Sequence, residues 1–177
     1  MGGGSQMLLT IGALALLSVL ALSVNRAIVS HQASALQTQA MLAALAEAEN
    51  ILEEIATKSF DEVTVPKPPG PGGKGAPPRK GPPPGVGPKD FTPPGLLKKE
   101  AGEEYPNFND IDDFNGLRKK AKNAVFGDVD VSIGVTYVLP SKTNEISPLS
   151  TNAKRVDVHV YTRGMEDTLK VRRVFYY

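Results

Sequence analysis

The eighteen positions from Met7 to Val24 carry no charge and are largely apolar, and Arg26 is the first ionised side chain of the protein. An α-helix over that stretch is about 27 Å long, close to the hydrocarbon thickness of a bilayer. Leu8, Leu9, Leu14, Leu16, Leu17, Leu20 and Leu22 surround such a helix rather than forming one stripe, the pattern of a segment with apolar surroundings on every side. No glycine or proline follows between Ala27 and Ala56, where Ala, Leu, Gln, Glu, Ile and Met dominate. One helix over 5–58 is therefore expected, with 7–24 as its membrane segment. A helix from Met7 to Thr57 is about 75 Å long, much longer than any domain the remaining residues can build. Its front must project, and a projecting apolar helix needs lipid or copies of itself.

The bulk numbers mostly exclude. A chain of 177 residues holds one ordinary domain and an appendage. A net charge of +1 creates no field favouring nucleic acid. With no cysteine there are no disulfides or thiolate sites, and only His31 and His159 supply imidazole. Charge is uneven along the chain, however. Between Glu47 and Glu62 six acids face Lys58 alone, and between Pro66 and Lys99 seven cations face Asp90 alone. These segments either lie against each other or are simply solvated.

Three readings of the N-terminus are open. A cleaved secretory signal wants a basic start, a shorter apolar core and a small-residue cleavage site, and here the basic start is missing. A plain membrane anchor is the second. The third follows from MGGGSQMLLTIGALALLSVLALSVNRAI, in which a glycine run ends at Gly4, Ser5 and Gln6 follow, and the apolar helix begins at once. This resembles the N-terminus of type IV pilins and type II secretion pseudopilins. The resemblance implies a four-residue leader at 1–4, cleavage between Gly4 and Ser5, and an assembly helix built on the leucines above. Two features depart from the family pattern: the leader lacks basic residues, and Leu9 stands where the family usually has glutamate.

Residues 59–100 read as a linker or insertion. Pro66 to Gly95 contains twelve prolines and eight glycines in thirty residues, which suits extended polyproline II broken by glycine. The glycines follow no strict every-third pattern, so collagen is excluded. A spacer or surface coat is expected, with PPRKGPPP at 77–84 as an alternative groove-binding peptide.

The head, 101–177, opens with YPNFNDIDDFNG at 105–116. Asp110, Asp112 and Asp113 invite a calcium reading, because hard cations take clustered oxygens. The EF-hand register fails: counting from Asp110, Phe114 is fifth and Asn115 sixth, where glycine belongs. The alternative is a turn in which these side chains accept backbone N–H groups. DIDDFNGL also resembles the aspartate-rich turn between helix and sheet in pilin-like proteins. Beyond it, 128–139, 155–162 and 168–177 alternate and are rich in β-branched residues, with 163–167 closing the last two into a hairpin. A loop is expected over 140–153. Val156, Val158 and Val160 face one side and Asp157, His159 and Tyr161 the other. Three strands need a cover, and Leu45, Leu52 and Ile55 of the helix are expected to supply it.

The expected fold is thus α+β: a long N-terminal helix whose C-terminal half packs on a small antiparallel sheet. The resemblance adds a structural, non-enzymatic role as a pilus-like or pseudopilus-like subunit. Its partners would be copies of itself or related subunits, a leader peptidase, assembly machinery and the inner membrane, with the head outside the cytoplasm and no nucleic acid. No Gly-rich phosphate loop or GxSxG nucleophile motif points to catalysis. A non-polymerising, membrane-anchored exported protein is the alternative.

Overall fold

The computed structural model describes residues 3–65 and 85–177, so the PPRKGPPP string and most of the Pro/Gly segment lie outside the described residues. The helix α1 runs from Gly3 to Ala56, about 80 Å at 1.5 Å per residue. It thus includes Gly3 and Gly4 of the expected leader. Five strands follow: β1 (Arg118–Asn123), β2 (Gly127–Leu139), β3 (Lys142–Ile146), β4 (Ala153–Thr162) and β5 (Leu169–Tyr176). These strands pair antiparallel throughout. The order is β1-β2-β4-β5, with β3 folding back on the end of β2. The layout is α+β.

Apolar alternation sets the register of the central strands. Val131 pairs with Val160, Ile133 with Val158 and Val135 with Val156, so one face of the sheet is continuous valine and isoleucine. A slip of one residue would turn that face to solvent. The same face of β4 holds Val156, Val158 and Val160, all fully buried, while Tyr161 opposite is exposed.

The helix covers this face through a seam of small residues. Ala40, Ala44 and Ala48 are 0% exposed, and Ile51, Leu52 and Ile55 continue the seam. Spacings of three and four keep these on one side of the helix. Alanine there brings the helix close to the sheet. At the turn between β4 and β5, Gly164 adopts φ +96°, and a Cβ on it would stand 3.6 Å from Ala40 Cβ. Leu52 and Ile55 cover the sheet as expected, but Leu45 does not: it is 39% exposed, because one residue past Ala44 the helix has turned about 100° away. Ala44 and Ala48 take the place assigned to it. Flanking ion pairs hold the seam in place, Lys119 Nζ to Glu47 Oε1 at 3.1 Å and Arg173 to Glu49 and Glu53 at 3.1 and 2.8 Å.

Three sequence expectations need correction. The sheet has five strands instead of three. The sequence RKKAKN of β1 contains no apolar stripe, and its backbone pairs with β2 all the same. The expected loop at 140–153 contains β3, whose pairing to β2 shifts register between Val138 and Leu139. The described ends of the 59–100 segment also pack into the head. Phe60, Phe91 and Leu97 are buried, and the Phe60, Phe91 and Tyr177 rings stack at 5.0–5.5 Å between centroids. Two phenylalanines and a leucine suffice to tie both ends of a proline-rich stretch to a core.

Candidate functional site

Two features stand apart from an ordinary small domain. The first is the free part of α1. Every described side chain from Gln6 to Gln39 is exposed, and Ala40 is the first buried one. About 50 Å of helix therefore extends beyond the head. Its N-terminal stretch is long and apolar enough to cross a membrane, and none of that stretch is buried. Leu8, Leu9, Leu14, Leu16, Leu17, Leu20 and Leu22 are each more than half exposed. Gly4 is exposed in the first turn of the same helix. Thr10 and Ser18 turn their hydroxyls back onto the carbonyls of Gln6 and Leu14, at 2.6 and 2.8 Å, so neither presents a free hydroxyl to apolar surroundings. Between Val24 and Ala40 the exposed helix is more polar and carries Arg26 and His31.

The second feature is a charged centre inside the head. Lys154 lies on the apolar face of the sheet, in line with Val156 and Val158, and is 0% exposed. An ammonium group has three donors. Nζ donates to the Phe60 carbonyl at 2.6 Å and to Asp61 Oδ2 at 2.9 Å, and it pairs with Asp112 Oδ1 at 2.6 Å. The Phe60 and Tyr137 rings stand over it at 4.6 and 5.0 Å. Asp61 also accepts from Thr92 N at 3.0 Å, Thr92 Oγ1 at 3.2 Å and Tyr137 Oη at 3.0 Å. Burial works to raise the Asp61 carboxyl, but the Lys154 charge and these hydrogen bonds outweigh it and hold the group below its ordinary value. Burial and the charges of Asp61 and Asp112 drive the Tyr137 hydroxyl far upward, so it stays a donor.

The aspartate turn is folded into this centre. Asp112–Phe114 forms one 3₁₀ turn, and all three residues are buried. Asp110 Oδ1 accepts the N–H groups of Asp112 and Asp113 at 2.7 and 3.2 Å. Asp113 Oδ2 accepts those of Asn109 and Asp110 at 2.9 and 3.2 Å. Asp110 and Asp113 are thus engaged in backbone capping and Asp112 with Lys154. Burial, then the charges of Asp112 and Asp113, raise Asp110 to about 7. Burial raises Asp112 to about 6 against the pull of Lys154. Backbone exchange between Ser59 and the turn (Ser59 N to Asn109 O, 3.1 Å; Ile111 N to Ser59 O, 3.0 Å) fastens it to the end of α1. Asn115 then links two distant segments, donating to Leu97 O at 2.7 Å and accepting from Val135 N at 2.9 Å.

Sequence reasoning singled out the three aspartates but not Lys154, Asp61 or Tyr137. A lysine within a valine-alternating strand was the available signal, because a charge on the apolar side of such a strand demands a buried partner. Chemically the arrangement is a clasp that ties helix end, aspartate turn and sheet together.

No protein-family model matches this chain, and no curated protein or solved structure matches it.

Proposed function

We propose that this protein is a structural subunit of a filament resembling type IV pili or type II secretion pseudopili, held in the membrane and assembled through the exposed part of α1. One observation carries the reading: a continuous helix, apolar from Met7 to Val24, stands free of its own head from Gln6 to Gln39. The energetic need to cover it is large, since each leucine removed from water contributes about 1.5–3 kcal/mol. Lipid covers it before assembly and the helices of neighbouring subunits afterwards. Gly12, Ala13, Ala15, Ser18 and Ala21 are small enough for close helix approach. The seam at Ala40–Ile55 holds the head at one end of the helix, leaving the other end free for a shared core. The glycine run before Ser5 supports processing at Gly4–Ser5 by a leader peptidase, and the head would then lie outside the cytoplasm. The role is architectural, not enzymatic.

Because the chain lacks cysteine, single Leu14→Cys and Leu20→Cys variants test this directly. Oxidative cross-linking in membranes from the native host is expected to give a disulfide-linked dimer from each variant, since one cysteine per chain joins two subunits, with a mature N-terminus at Ser5 by mass spectrometry. Monomers only, with Met1 retained, would instead support a single-pass anchored protein with a small interaction domain. Leu9 in place of the family's glutamate is the feature that favours this second reading.

A further inference from the structure

Glu62, just past the end of α1, and Glu100 and Glu103, where the Pro/Gly segment rejoins the head, bring one carboxylate oxygen each to within 4.8 Å of the other two. Two oxygens on opposite sides of a calcium ion are separated by about 4.6–5.2 Å, so a single ion can touch all three. Clustered surface acids alone say little. Asp113 supplies the second observation. It is 2% exposed, and its Oδ2 is held by two backbone N–H groups. Its Oδ1 is buried and has no hydrogen-bond donor among the described residues, and the side chain faces Glu100 and Glu103.

The same orphaning extends around the cluster. Glu62 Oε2, Glu100 Oε2 and Glu103 Oε2 are buried without donors among the described residues. So is Asn109 Oδ1, whose Nδ2 donates to Glu103 Oε1. None of the four carboxylates forms an ion pair with a described lysine or arginine. Buried carboxylate oxygens aimed at one another with no lysine or arginine beside them among the described residues must share either a proton or a cation.

We propose that Glu62, Glu100, Glu103 and Asp113 bind one calcium ion, with Asn109 Oδ1 as a neutral ligand. All donors are oxygen, which selects a hard cation over zinc or copper. They come from three separate segments and lack octahedral rigidity, which favours calcium over magnesium. The site shares only Asp113 with the aspartate trio read from sequence, because Asp110 caps the turn and Asp112 holds Lys154. Bound calcium fastens residue 62 to residues 100 and 103 and joins both to the aspartate turn through Asp113. Because the site is assembled only in the folded chain, bound calcium stabilises the fold by mass action.

The test uses the full chain in detergent micelles, freed of metal with EDTA and titrated with calcium chloride by calorimetry. One ion per chain is expected, with a Kd near 10⁻⁴–10⁻³ M or tighter, roughly the range of extracellular calcium modules, and a higher Tm with calcium. Magnesium chloride should bind at least about tenfold more weakly. The double variant Glu100→Gln/Glu103→Gln should lose at least about tenfold in calcium affinity. Glu62→Gln, which lies outside the buried turn, should weaken binding too and serves if the double variant does not fold. No heat of binding at millimolar calcium overturns the proposal. Affinity unchanged in Glu62→Gln and the double variant overturns it as well, and moves the ion elsewhere.

Discussion

Lys154 of β4 and Asp61, five residues beyond the last residue of α1, form an ion pair at 2.9 Å in which neither side chain is exposed to solvent. Ninety-three positions separate them in sequence. Taking both charges out of water is costly, and the pair repays that cost only because Phe60 O, Thr92, Tyr137 and Asp112 satisfy the remaining donors and acceptors. The pair therefore specifies where the helix end and the aspartate turn sit on the sheet.

Removing Lys154 leaves Asp61 and Asp112 facing each other without a cation. Lys154→Ala should lower stability by about 3–5 kcal/mol, the cost of breaking a buried pair from one side. Denaturant unfolding of the full chain in detergent measures it. A loss under about 1 kcal/mol would mean that the pair contributes no more than a surface contact.

Stability should depend on pH in an unusual direction. Asp110 and Asp112 have ordinary values of 3.8 and are raised to about 7 and about 6 in the fold. Between those limits the folded protein holds protons that the unfolded chain has released, so stability falls as pH rises from about 4 to about 7. Asp61 acts oppositely, because its folded value is depressed. Its contribution is full above 3.8 and is lost as pH falls through the lowered value. A maximum near pH 4 is expected, followed by a decline towards pH 7. Asp110→Asn should flatten that decline. Denaturant midpoints across pH in EDTA test it, and a profile that rises from pH 4 to 7 contradicts the assignment.

The helix seam has no spare room. Ala48 is 0% exposed, and a larger side chain there must push α1 off the sheet. Ala48→Leu should cost about 1–3 kcal/mol through overpacking. Leu42→Ala, at a position 61% exposed, should change stability by less than about 0.5 kcal/mol. Thermal unfolding of the two variants side by side gives the comparison. Equal effects would place the seam elsewhere on the helix.

A charge in the free helix should affect membrane residence and not the head. Leu16→Arg, in the middle of the apolar stretch, should disfavour insertion by about 2.5–3.5 kcal/mol. Alkaline carbonate extraction reports the membrane-bound fraction, and near-UV circular dichroism reports the head. Full retention of the variant in the membrane would show that the segment does not sit across the bilayer core.

Much of this protein is legible in its residues because local rules suffice. Eighteen uncharged positions followed by a proline-free, alanine-rich run specify a long helix wherever it lies, and valine alternation specifies β2 and β4. The remainder depended on neighbours. β1 and β3 are too charged to announce themselves, and pairing with β2 makes them strands. Phe91 and Leu97 sit beside a proline-rich stretch, and only the folded head offers them a core. Which face of α1 is buried depended on the sheet accepting alanine more closely than leucine. The partners of Lys154 lie in segments far away in sequence, and a charge-pairing requirement names no partner until folding brings one near. Periodicity acts over a few residues and survives in the bare chain, whereas contacts between distant segments exist only once the backbone has closed around them.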